Sequence, residues 1–472
     1  MKKLFTTILL LSLTSISFAA DKTTPLSKKI STILKNFGDT VSIGILVKDQ
    51  KTGETLYSKN AAHYFMPASN EKLFTAFSAL DYLDKDFTYK TQLFVDTTKI
   101  QNGILNDNVY LQFSGDPTFT LTQLDNLIRA LKVAGVNQIN GNIVIDDSAF
   151  DQVTISPGST WDDKDYCWGA PVNAINVQGN CVVATIAPAK EPGALAIMSL
   201  PDFPQSMQFI NTAKTGANNA ACILDTKRTS PSSYTISGCV QASSKPQVIA
   251  MAIDNPRVNL QFLLFYLLNK NQISNTQNFR YEKAFVLPNI LATESSLPLL
   301  TLITTMMKES DNGISNSLFK TMGSLNKKES GSFENGSETV RNILSKSLQI
   351  EIPKTTLIDG NGGSRYDFLT PEQIVMLLQK TYNSRHAKNF IAALPIGGVD
   401  GTLKARMKDA STHGNVFAKT GSETAVNTLS GYLQTQKKHT LVFSIMINGF
   451  VDLPNRYQDL QDQLCAAMIE NG

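Results

Sequence analysis

Ser69 and Lys72 stand three positions apart at the start of an apolar segment, KLFTAFSAL, and bring together a hydroxyl and an amine. Residues three apart share one face of a helix, and Pro67 followed by a small residue is typical of a helix start. Apolar residues at positions 73, 76, 77, 80 and 83 keep helical spacing, which predicts a largely buried helix. Because burial disfavours an ammonium ion, Lys72 can be neutral and basic. The pair therefore predicts a serine nucleophile with a lysine base.

Serine and lysine at this spacing are a weak signal alone, because Ser317 with Lys320 and Ser324 with Lys327 show it too. Two further motifs follow downstream, and their residues are Ser310, Asp311 and Asn312, then Lys419, Thr420, Gly421 and Ser422. In this order, Ser-x-x-Lys, Ser-Asp-Asn and Lys-Thr-Gly are the three motifs of serine enzymes that recognise penicillin.

Lys-Thr-Gly occurs three times, at Lys51, Lys214 and Lys419, and only the last copy fits this chemistry. The copy at Lys51 lies between two strand-like runs and predicts a hairpin turn. The copy at Lys214 lies in NTAKTGANNA, whose small polar residues indicate a loop. Lys419 follows the short run VFA and precedes TLSGYL and HTLVFSIMING, which predict two strands. We therefore expect Lys419 at a sheet edge, beside the helix that carries the serine.

The domain organisation follows from the 241 positions that separate Ser69 from Ser310. Both residues must reach one cleft, and the chain between them is too long for a loop, so it must fold by itself. That chain is rich in strand-like segments, with NPRVNLQFLLFYLLNKNQI as a buried helix. The sequence predicts a signal peptide at 1–19, an insert at 88–286, and one catalytic domain built from 20–87 and 287–472. Strands at 41–58 and 428–448 would form its sheet, with helices on both faces.

The N-terminal segment predicts export. Lys2 and Lys3 precede an apolar run that is short for a membrane span, and Ser17-Phe18-Ala19 is a small-x-small cleavage site. We expect cleavage after about Ala19, with an uncleaved anchor as the alternative. The formal charge of +3 falls to +1 without the two lysines, so nothing favours nucleic-acid binding. The C-terminal YQDLQDQLCAAMIENG predicts a core-facing helix rather than a membrane anchor.

Export also permits disulfides. The simplest pairing joins Cys167 to Cys181 and Cys222 to Cys239, although five cysteines permit other connectivities. Cys465 falls on the apolar face of the last helix, where we expect a buried thiol. Only four histidines are present and none lies at ligand spacing, so the sequence predicts no metal site and no cofactor.

Several segments outside the three motifs carry a family resemblance. FSGDPTFT resembles a Gly-Asp-Pro segment, and GNIVIDDSAFD with WGAPVNAIN resembles the insert that follows it. IDGNGGSR resembles an Asp-Gly-x-Gly-x-Ser-Arg segment, and LPIGGVDGTLKARM resembles a segment that precedes the Lys-Thr-Gly strand. Together with the motifs, these segments resemble class C low-molecular-mass penicillin-binding proteins, the D-alanyl-D-alanine carboxypeptidase and endopeptidase family. The resemblance spans most of the mature chain.

The resemblance implies an α+β fold, in which a transpeptidase-like, serine β-lactamase-like catalytic domain is interrupted by two smaller strand-rich domains. It implies a periplasmic serine hydrolase that is acylated by β-lactams. Such enzymes remove the terminal D-Ala from peptidoglycan stem peptides, and many cut the cross-link between D-Ala and diaminopimelate. Gly363 departs from the larger apolar residue often found there, and Glu423 and Thr424 lie near the expected stem peptide. The balance of the two activities therefore stays open.

Chemistry and resemblance together assign the catalytic roles. Ser69 attacks the carbonyl of the penultimate D-Ala and is acylated. Lys72, kept neutral by burial and by the Lys419 cation, takes the hydroxyl proton, and Ser310 can relay it to the leaving amine. Asn312 can hold the substrate backbone with its amide donor and acceptor.

The remaining residues are expected to bind substrate. Lys419 and Thr420 offer a charge and a hydroxyl to the terminal carboxylate, and Gly421 lets the substrate strand approach. The backbone N–H groups of Ser69 and Ser422 would form the oxyanion hole.

Other residues are assigned by their type. Arg365 is a further carboxylate ligand, because its planar fork matches that group. Asp359, Gly360 and Gly362 predict a tight turn, and Trp161 and Trp168 are expected in a core or a domain interface.

Two other classes of protein stay open. A β-lactamase would share the nucleophile and the fold, but such chains are much shorter and have no need of a large insert. A non-catalytic module that senses penicillin or peptide would not need Lys72, Ser310, Asn312 and Lys419 intact. Covalent labelling by a fluorescent penicillin, followed by an assay for D-Ala release from a pentapeptide, separates the three.

Overall fold

The computed structural model describes residues 24–472 except 39, 205, 276, 277, 285 and 355, so the predicted signal peptide lies outside the described residues. A five-stranded antiparallel sheet lies at the centre of the catalytic part. From one edge to the other its strands are Val416–Glu423, Val426–Gln434, Thr440–Asn448, Ser42–Asp49 and Thr55–Lys59. Lys419 lies in the outermost strand, which confirms its predicted place at a sheet edge.

Helices cover both faces of this sheet, as predicted. One face packs against Pro25–Phe37 and Pro454–Asn471. The other face packs against a layer of helices with the bounds Lys72–Tyr82, Leu299–Glu309, Asn312–Lys327, Phe333–Leu348, Pro371–Tyr382 and Ala387–Ala393. Because both faces are covered, the two central strands are buried almost throughout and carry apolar runs instead of alternating polarity.

The chain between Lys90 and Ser295 builds four smaller sheets. The largest has five strands, in the spatial order Phe279–Tyr281, Ile143–Asp146, Val109–Gln112, Lys90–Phe94 and Ile290–Ser295. Short strands form a second sheet, in the order Ser274–Asn275, Gln138–Ile139, Ile104–Leu105 and Ile100–Gln101. Helices Leu121–Val133 and Pro256–Lys270 share the core, and the latter is the predicted buried helix. Because Ile290–Ser295 pairs with Lys90–Phe94, this part of the fold runs past the predicted insert end at residue 286.

The other two sheets lie between Cys181 and Ala252 and share small apolar clusters. One sheet has the strands Ile197–Ser199, Cys181–Ala187 and Gln247–Ala252. The other has the strands Gln208–Asn211, Ser233–Gln241, Lys214–Gly216 and Leu224–Ser230. The loop predicted at Lys214 is therefore wrong, because this segment pairs in parallel with a neighbouring strand. The α+β fold class with a strand-rich insert is confirmed, while the domain boundaries stay a proposal.

Short 3-10 helices and two disulfides complete the described chain. The 3-10 helices are Ala68–Glu71, Thr97–Lys99, Asp162–Asp165, Cys167–Gly169, Gln178–Asn180 and Gly401–Leu403. The disulfides join Cys167 to Cys181 and Cys222 to Cys239, and Cys465 is a buried free thiol, as predicted. Within the described ranges, no helix is both long and apolar enough to cross a membrane.

Candidate active site

Ser69 lies in a 3-10 turn, Ala68–Glu71, and the α-helix begins only at Lys72. The predicted helix start is therefore present, but its first turn is a 3-10 helix rather than an α-helix. Ala68 has a φ of 45°, in the left-handed region that few residues other than glycine adopt. Gly362 packs against this strained residue so closely that a Cβ there would lie 2.0 Å from the Ala68 carbonyl oxygen. The turn and its neighbour thus fix the direction of the serine.

The Lys72 amine lies within hydrogen-bond distance of Ser69, as the sequence predicted. Lys72 Nζ is 2.7 Å from Ser69 Oγ, 2.6 Å from Asn312 Oδ1 and 3.2 Å from the Asn361 carbonyl oxygen. The side chain is fully buried. Burial lowers the pKa of Lys72 to about 8, although nearby carboxyl groups, Asp359 first among them, pull it upward. A proton can therefore pass between Ser69 and a lysine that is partly neutral near neutral pH.

Lys419 comes from the edge strand and meets Ser310, the second motif. Lys419 Nζ donates to Ser310 Oγ at 2.9 Å and to the Thr420 carbonyl oxygen at 2.8 Å. Ser310 ends the helix Leu299–Glu309 in the left-handed region, with a φ of 61°. Burial, and to a lesser degree the charge of Lys72, holds the pKa of Lys419 well below its usual range. Burial is thus the main cause for both lysines, and the charge of Lys72 adds to it at Lys419. The predicted effect of the Lys419 cation on the pKa of Lys72 stays a prediction.

The edge strand is tied directly to the nucleophile turn. Asn70 Nδ2 donates to the Lys419 carbonyl oxygen at 3.0 Å. A Cβ at Gly421 would lie 2.2 Å from Thr428 Oγ1 and 3.0 Å from Ser69 N. Gly421 is therefore needed because the nucleophile turn occupies the space beside it, whereas the sequence interpretation gave that space to the substrate. Ser422 follows on the exposed side of the strand.

Asn312 links the lysine base to the insert. Its Oδ1 accepts from Lys72, and its Nδ2 donates to the Trp168 carbonyl oxygen at 2.8 Å. Because an amide nitrogen carries two N–H donors and an amide oxygen two lone pairs, one donor and one acceptor site remain for a substrate backbone. Its predicted role in substrate binding therefore stays a proposal.

The insert supplies cleft residues that the sequence analysis did not single out. Asp163 lines the cleft together with Ser69, Trp168, Ser310, Asn312, Ser422 and Glu423. Burial, and next the Asp163 carboxylate, raises the pKa of Glu423 to about 7. Trp161 and Trp168 are not core residues, since their relative exposures are 77% and 53%, although Trp168 does lie between the insert and the catalytic part.

Arg365 and Thr420 lie at the rim of the cleft. Arg365 Nη1 donates to the Thr424 carbonyl oxygen at 3.0 Å. Against burial and Asp163, the Arg365 charge pulls the pKa of Glu423 downward. Thr420 Oγ1 lies 2.7 Å from Thr402 Oγ1, in the segment that precedes the Lys-Thr-Gly strand. Both side chains keep polar groups available for a carboxylate, so their predicted roles stay proposals.

A tight turn forms at Asp359, as predicted. Its carboxylate accepts from the N–H groups of Asn361, Gly362 and Ser364 at 2.7–3.1 Å. The Ser156 hydroxyl, from the insert, donates to it at 2.8 Å. Asp359 lies with Glu71 and Asp367 in a group of buried carboxyl side chains close enough to hold a metal ion by geometry. No local pattern predicts this group, because Glu71 lies almost 300 positions from the two aspartates.

The fold and this site define the class of the chain, which is a serine hydrolase. The D-Ala-D-Ala carboxypeptidase 3 (S13) family matches residues 26–468, and the chain belongs to this family. It is 30% identical over 426 residues to the D-alanyl-D-alanine carboxypeptidase DacB of Haemophilus influenzae, covering 89% of this chain and 88% of that protein. It is 29% identical over 425 residues to the D-alanyl-D-alanine carboxypeptidase of an Actinomadura species, covering 86% and 77%. The crystal structure of penicillin binding protein 4 from Haemophilus influenzae matches 92% of this chain and 97% of its own, with 29% identity and a TM-score of 0.81.

Proposed function

We propose that this protein hydrolyses the D-Ala-D-Ala end of peptidoglycan stem peptides, and the D-Ala to diaminopimelate cross-link, through an acyl-enzyme at Ser69. The observation that carries the proposal is the 2.7 Å contact between Ser69 Oγ and the buried Lys72 amine. Lys72 takes the hydroxyl proton as Ser69 attacks, and Ser310, bonded to Lys419, returns a proton to the leaving amine. Water then hydrolyses the ester.

The lysine on the edge strand and its neighbours bind the substrate terminus. Lys419 and Thr420 hold the C-terminal carboxylate through a charge and a hydroxyl. The backbone N–H groups of Ser69 and Ser422 stabilise the oxyanion, at about 3 kcal/mol for each donor. Family membership agrees with these roles, and no step requires a metal ion or a cofactor.

The cleft beside Ser69 carries both signs of charge. Asp163 and Glu423 line it with carboxyl groups, and the Arg365 guanidinium lies near enough to act on the charge of Glu423. Diaminopimelate has an amine and a carboxylate on its side chain, so this cleft suits a stem peptide that contains it. This fit supports endopeptidase work beside carboxypeptidase work.

The same site is proposed to react with β-lactams, in the periplasm. The Haemophilus influenzae relative has been crystallised in complex with a β-lactam. The lysine run and cleavage signal at the N-terminus support export to the compartment that holds peptidoglycan. Neither a β-lactamase nor a non-catalytic sensor is favoured by a particular contact of the site.

The test uses the mature chain and Ser69→Ala. The parent should be labelled by a fluorescent penicillin at one equivalent per chain, hydrolyse that penicillin slowly, and release D-Ala from a pentapeptide. The variant should fold, lose the label and lose about four to six orders of magnitude in turnover, as in other serine hydrolases. Labelling that persists in the variant means that another residue is the nucleophile. Fast penicillin turnover by the parent means that it is a β-lactamase.

A further inference from the structure

Three buried carboxyl side chains lie directly behind the nucleophile turn: Glu71, Asp359 and Asp367. One oxygen atom from each lies within 4.8 Å of the others, and all three side chains have zero exposure. Asp359 is well satisfied, since three N–H groups and the Ser156 hydroxyl donate to it. Asp367 accepts from the Ile358 N–H on one oxygen only. Neither oxygen of Glu71 has a hydrogen-bond donor within the described part of the chain.

An unpaired buried carboxylate is too costly to persist, so such a group takes up a proton or a cation. The neighbouring charges are those of Asp359, Asp367 and Lys72, with Lys419 beyond Lys72. The Lys72 amine is already bonded to Ser69, Asn312 and Asn361. Protons on Glu71 and Asp367 give a partner to one Glu71 oxygen and to the unpaired Asp367 oxygen, because Glu71 can then donate to Asp367 and Asp367 to Asp359. The second Glu71 oxygen then belongs to a neutral carbonyl group, which costs less to bury than a carboxylate.

We propose that Glu71 is a positioning residue for Lys72, and that as a neutral carboxyl group it donates a hydrogen bond to Asp367, which donates in turn to Asp359. Asp359 holds the N–H group of Asn361 at 2.9 Å, and the Asn361 carbonyl oxygen holds Lys72 Nζ at 3.2 Å. The chain of carboxyl groups thus fixes the base without placing another negative charge beside it. An ionised Glu71 would stabilise the Lys72 ammonium and so lower the fraction of Lys72 that is neutral and able to take a proton.

Burial agrees with this assignment. Burial first, and then the Asp367 and Asp359 carboxylates, raise the pKa of Glu71 well above its usual range. Burial and Asp359 do the same to the pKa of Asp367. Because Asp359 accepts four donors, it is the member of the group that keeps its charge.

The charge on Glu71 is tested through the pH dependence of the rate of penicillin acylation. If the proposed function holds, the rate falls at low pH as Lys72 is protonated, and the midpoint of this fall gives the pKa of Lys72. Glu71→Gln replaces a neutral donor with another of the same shape, so the midpoint should stay within about 0.3 pH unit of the parent's. Asp311→Asn is the comparison, because it removes a carboxylate whose charge acts on Lys72. Asp311 also caps the helix that follows it, and an asparagine amide can take over that cap. This substitution should lower the midpoint by about half a unit or more. A drop of that size for Glu71→Gln means that Glu71 is ionised and overturns the proposal.

Stability provides a second measurement that does not depend on Lys72 being the base. Unfolded glutamate and aspartate lose their protons near pH 4, whereas the folded chain keeps them on Glu71 and Asp367. Folding therefore takes up protons above that pH, and the parent loses stability as pH rises towards the raised folded values. Relative to the parent, the melting temperatures of Glu71→Gln and Asp367→Asn should rise by several degrees from pH 4.5 to pH 8.

Opposite outcomes overturn the proposal. A relative melting temperature that stays level or falls from pH 4.5 to pH 8 in the two variants means that the group is ionised in the folded protein. A parent that loses stability in EDTA, with variants that do not, assigns the three carboxyl groups to a metal ion instead. If the parent shows no acid limb between pH 6 and pH 9, the lysine-base mechanism fails, while the melting temperatures still decide the charge on Glu71.

Discussion

Two lysines buried in one cleft cannot both keep their protons easily, because each loses hydration and each repels the other. Lys72 lies near several carboxyl groups, which hold its pKa at about 8 against burial. Lys419 has no ion-pair partner in the described part of the chain and donates to two neutral oxygens. If the proposed function holds, a substrate carboxylate supplies the counter-charge that Lys419 needs. The Lys419 ammonium would then favour the neutral form of Lys72, so substrate binding would prepare the base.

This coupling predicts the pH dependence of catalysis on a small D-Ala-D-Ala peptide. Below a pKa of about 8, the neutral fraction of Lys72 rises tenfold per pH unit, so kcat/KM should rise with pH and level off above it. The pH at which kcat reaches half its maximum gives the pKa of Lys72 in the enzyme–substrate complex. This pH should be lower than the corresponding pH for kcat/KM, which gives the pKa in the free enzyme. Steady-state rates from about pH 5.5 to about pH 9.5 check both statements. A kcat/KM that falls with rising pH across this range contradicts a neutral lysine base.

The three copies of Lys-Thr-Gly give matched controls for the role of Lys419. Lys419→Ala removes the charge beside the substrate carboxylate, and acylation by peptide should slow by about 100-fold or more. Lys51 lies in an exposed hairpin turn and Lys214 on an exposed strand position of the insert. Alanine at either position should leave the acylation rate and KM nearly unchanged. Equal losses at all three sites would assign the effect to stability, which melting temperatures measure directly.

At the scale of the element, the nucleophile segment shows how far the sequence predicts structure. Apolar spacing predicted the buried helix correctly from Lys72 onward. It did not predict the 3-10 turn at Ser69, because the left-handed Ala68 is held by distant groups. One of these is Thr428, which donates to the Pro67 carbonyl oxygen at 2.7 Å. Gly362, on a turn almost 300 positions away, is the other.

The edge strand shows the same limit. Its apolar run predicted a strand, and the position of Lys419 followed from that. Local composition did not predict the strand Lys214–Gly216. Its small polar residues favour a loop, but parallel pairing with the strand Ser233–Gln241 overrides that preference. The contact of Asn312 with Trp168 could not be predicted from the sequence, because it joins residues 144 positions apart. Pattern predicts elements well and contacts between elements poorly.

Gly421→Ala tests whether the strand and the nucleophile turn move as one element. The added Cβ would lie 2.2 Å from Thr428 Oγ1 and 2.9 Å from the Pro67 carbonyl oxygen, so the strand must shift. We expect a loss of about 1–3 kcal/mol in the free energy of unfolding and an acylation rate at least about tenfold lower. Denaturant unfolding and penicillin labelling measure the two effects.

Gly313→Ala is the control for stability. Its Cβ would meet only the Asp311 carboxylate, at 3.4 Å, and alanine favours the helix that begins at Asn312. Its free energy of unfolding should equal or exceed the parent's. If Gly421→Ala labels at the parental rate, the turn and the strand are independent and the close approach has no catalytic role.

At the scale of the whole molecule, side chains of the catalytic part bond to the insert at several points. Ser364 Oγ donates to the Pro157 carbonyl oxygen at 2.7 Å, beside the contact of Ser156 with Asp359. Lys320, which with Ser317 also matches the Ser-x-x-Lys spacing, is fully buried and forms an ion pair with Asp151 of the insert at 2.8 Å. The sequence identified this lysine only as a motif match, because its partner lies 169 positions away. These contacts make the insert a wall of the cleft.

The insert could select substrates, or it could only hold the site in place. Substitutions of two aspartates in the insert distinguish these roles. Asp163 lines the cleft and bonds only within the insert, so Asp163→Asn removes a charge and keeps the geometry. We expect about a tenfold loss on a cross-linked muropeptide that contains diaminopimelate, because its ammonium loses an attractive charge. Penicillin labelling and cleavage of a small diacylated D-Ala-D-Ala peptide should stay within about twofold of the parent, since neither has that ammonium.

Asp151→Asn is the matched variant for the bracing role. It leaves the buried Lys320 without its ion-pair partner, which costs about 3 kcal/mol, and it loosens the insert without touching the cleft. The melting temperature and all three activities should fall together in this variant. If Asp163→Asn also lowers the three activities in parallel, the insert acts as a brace for Asn312 and the Asp359 turn. The cleft charge then has no part in choosing the stem peptide.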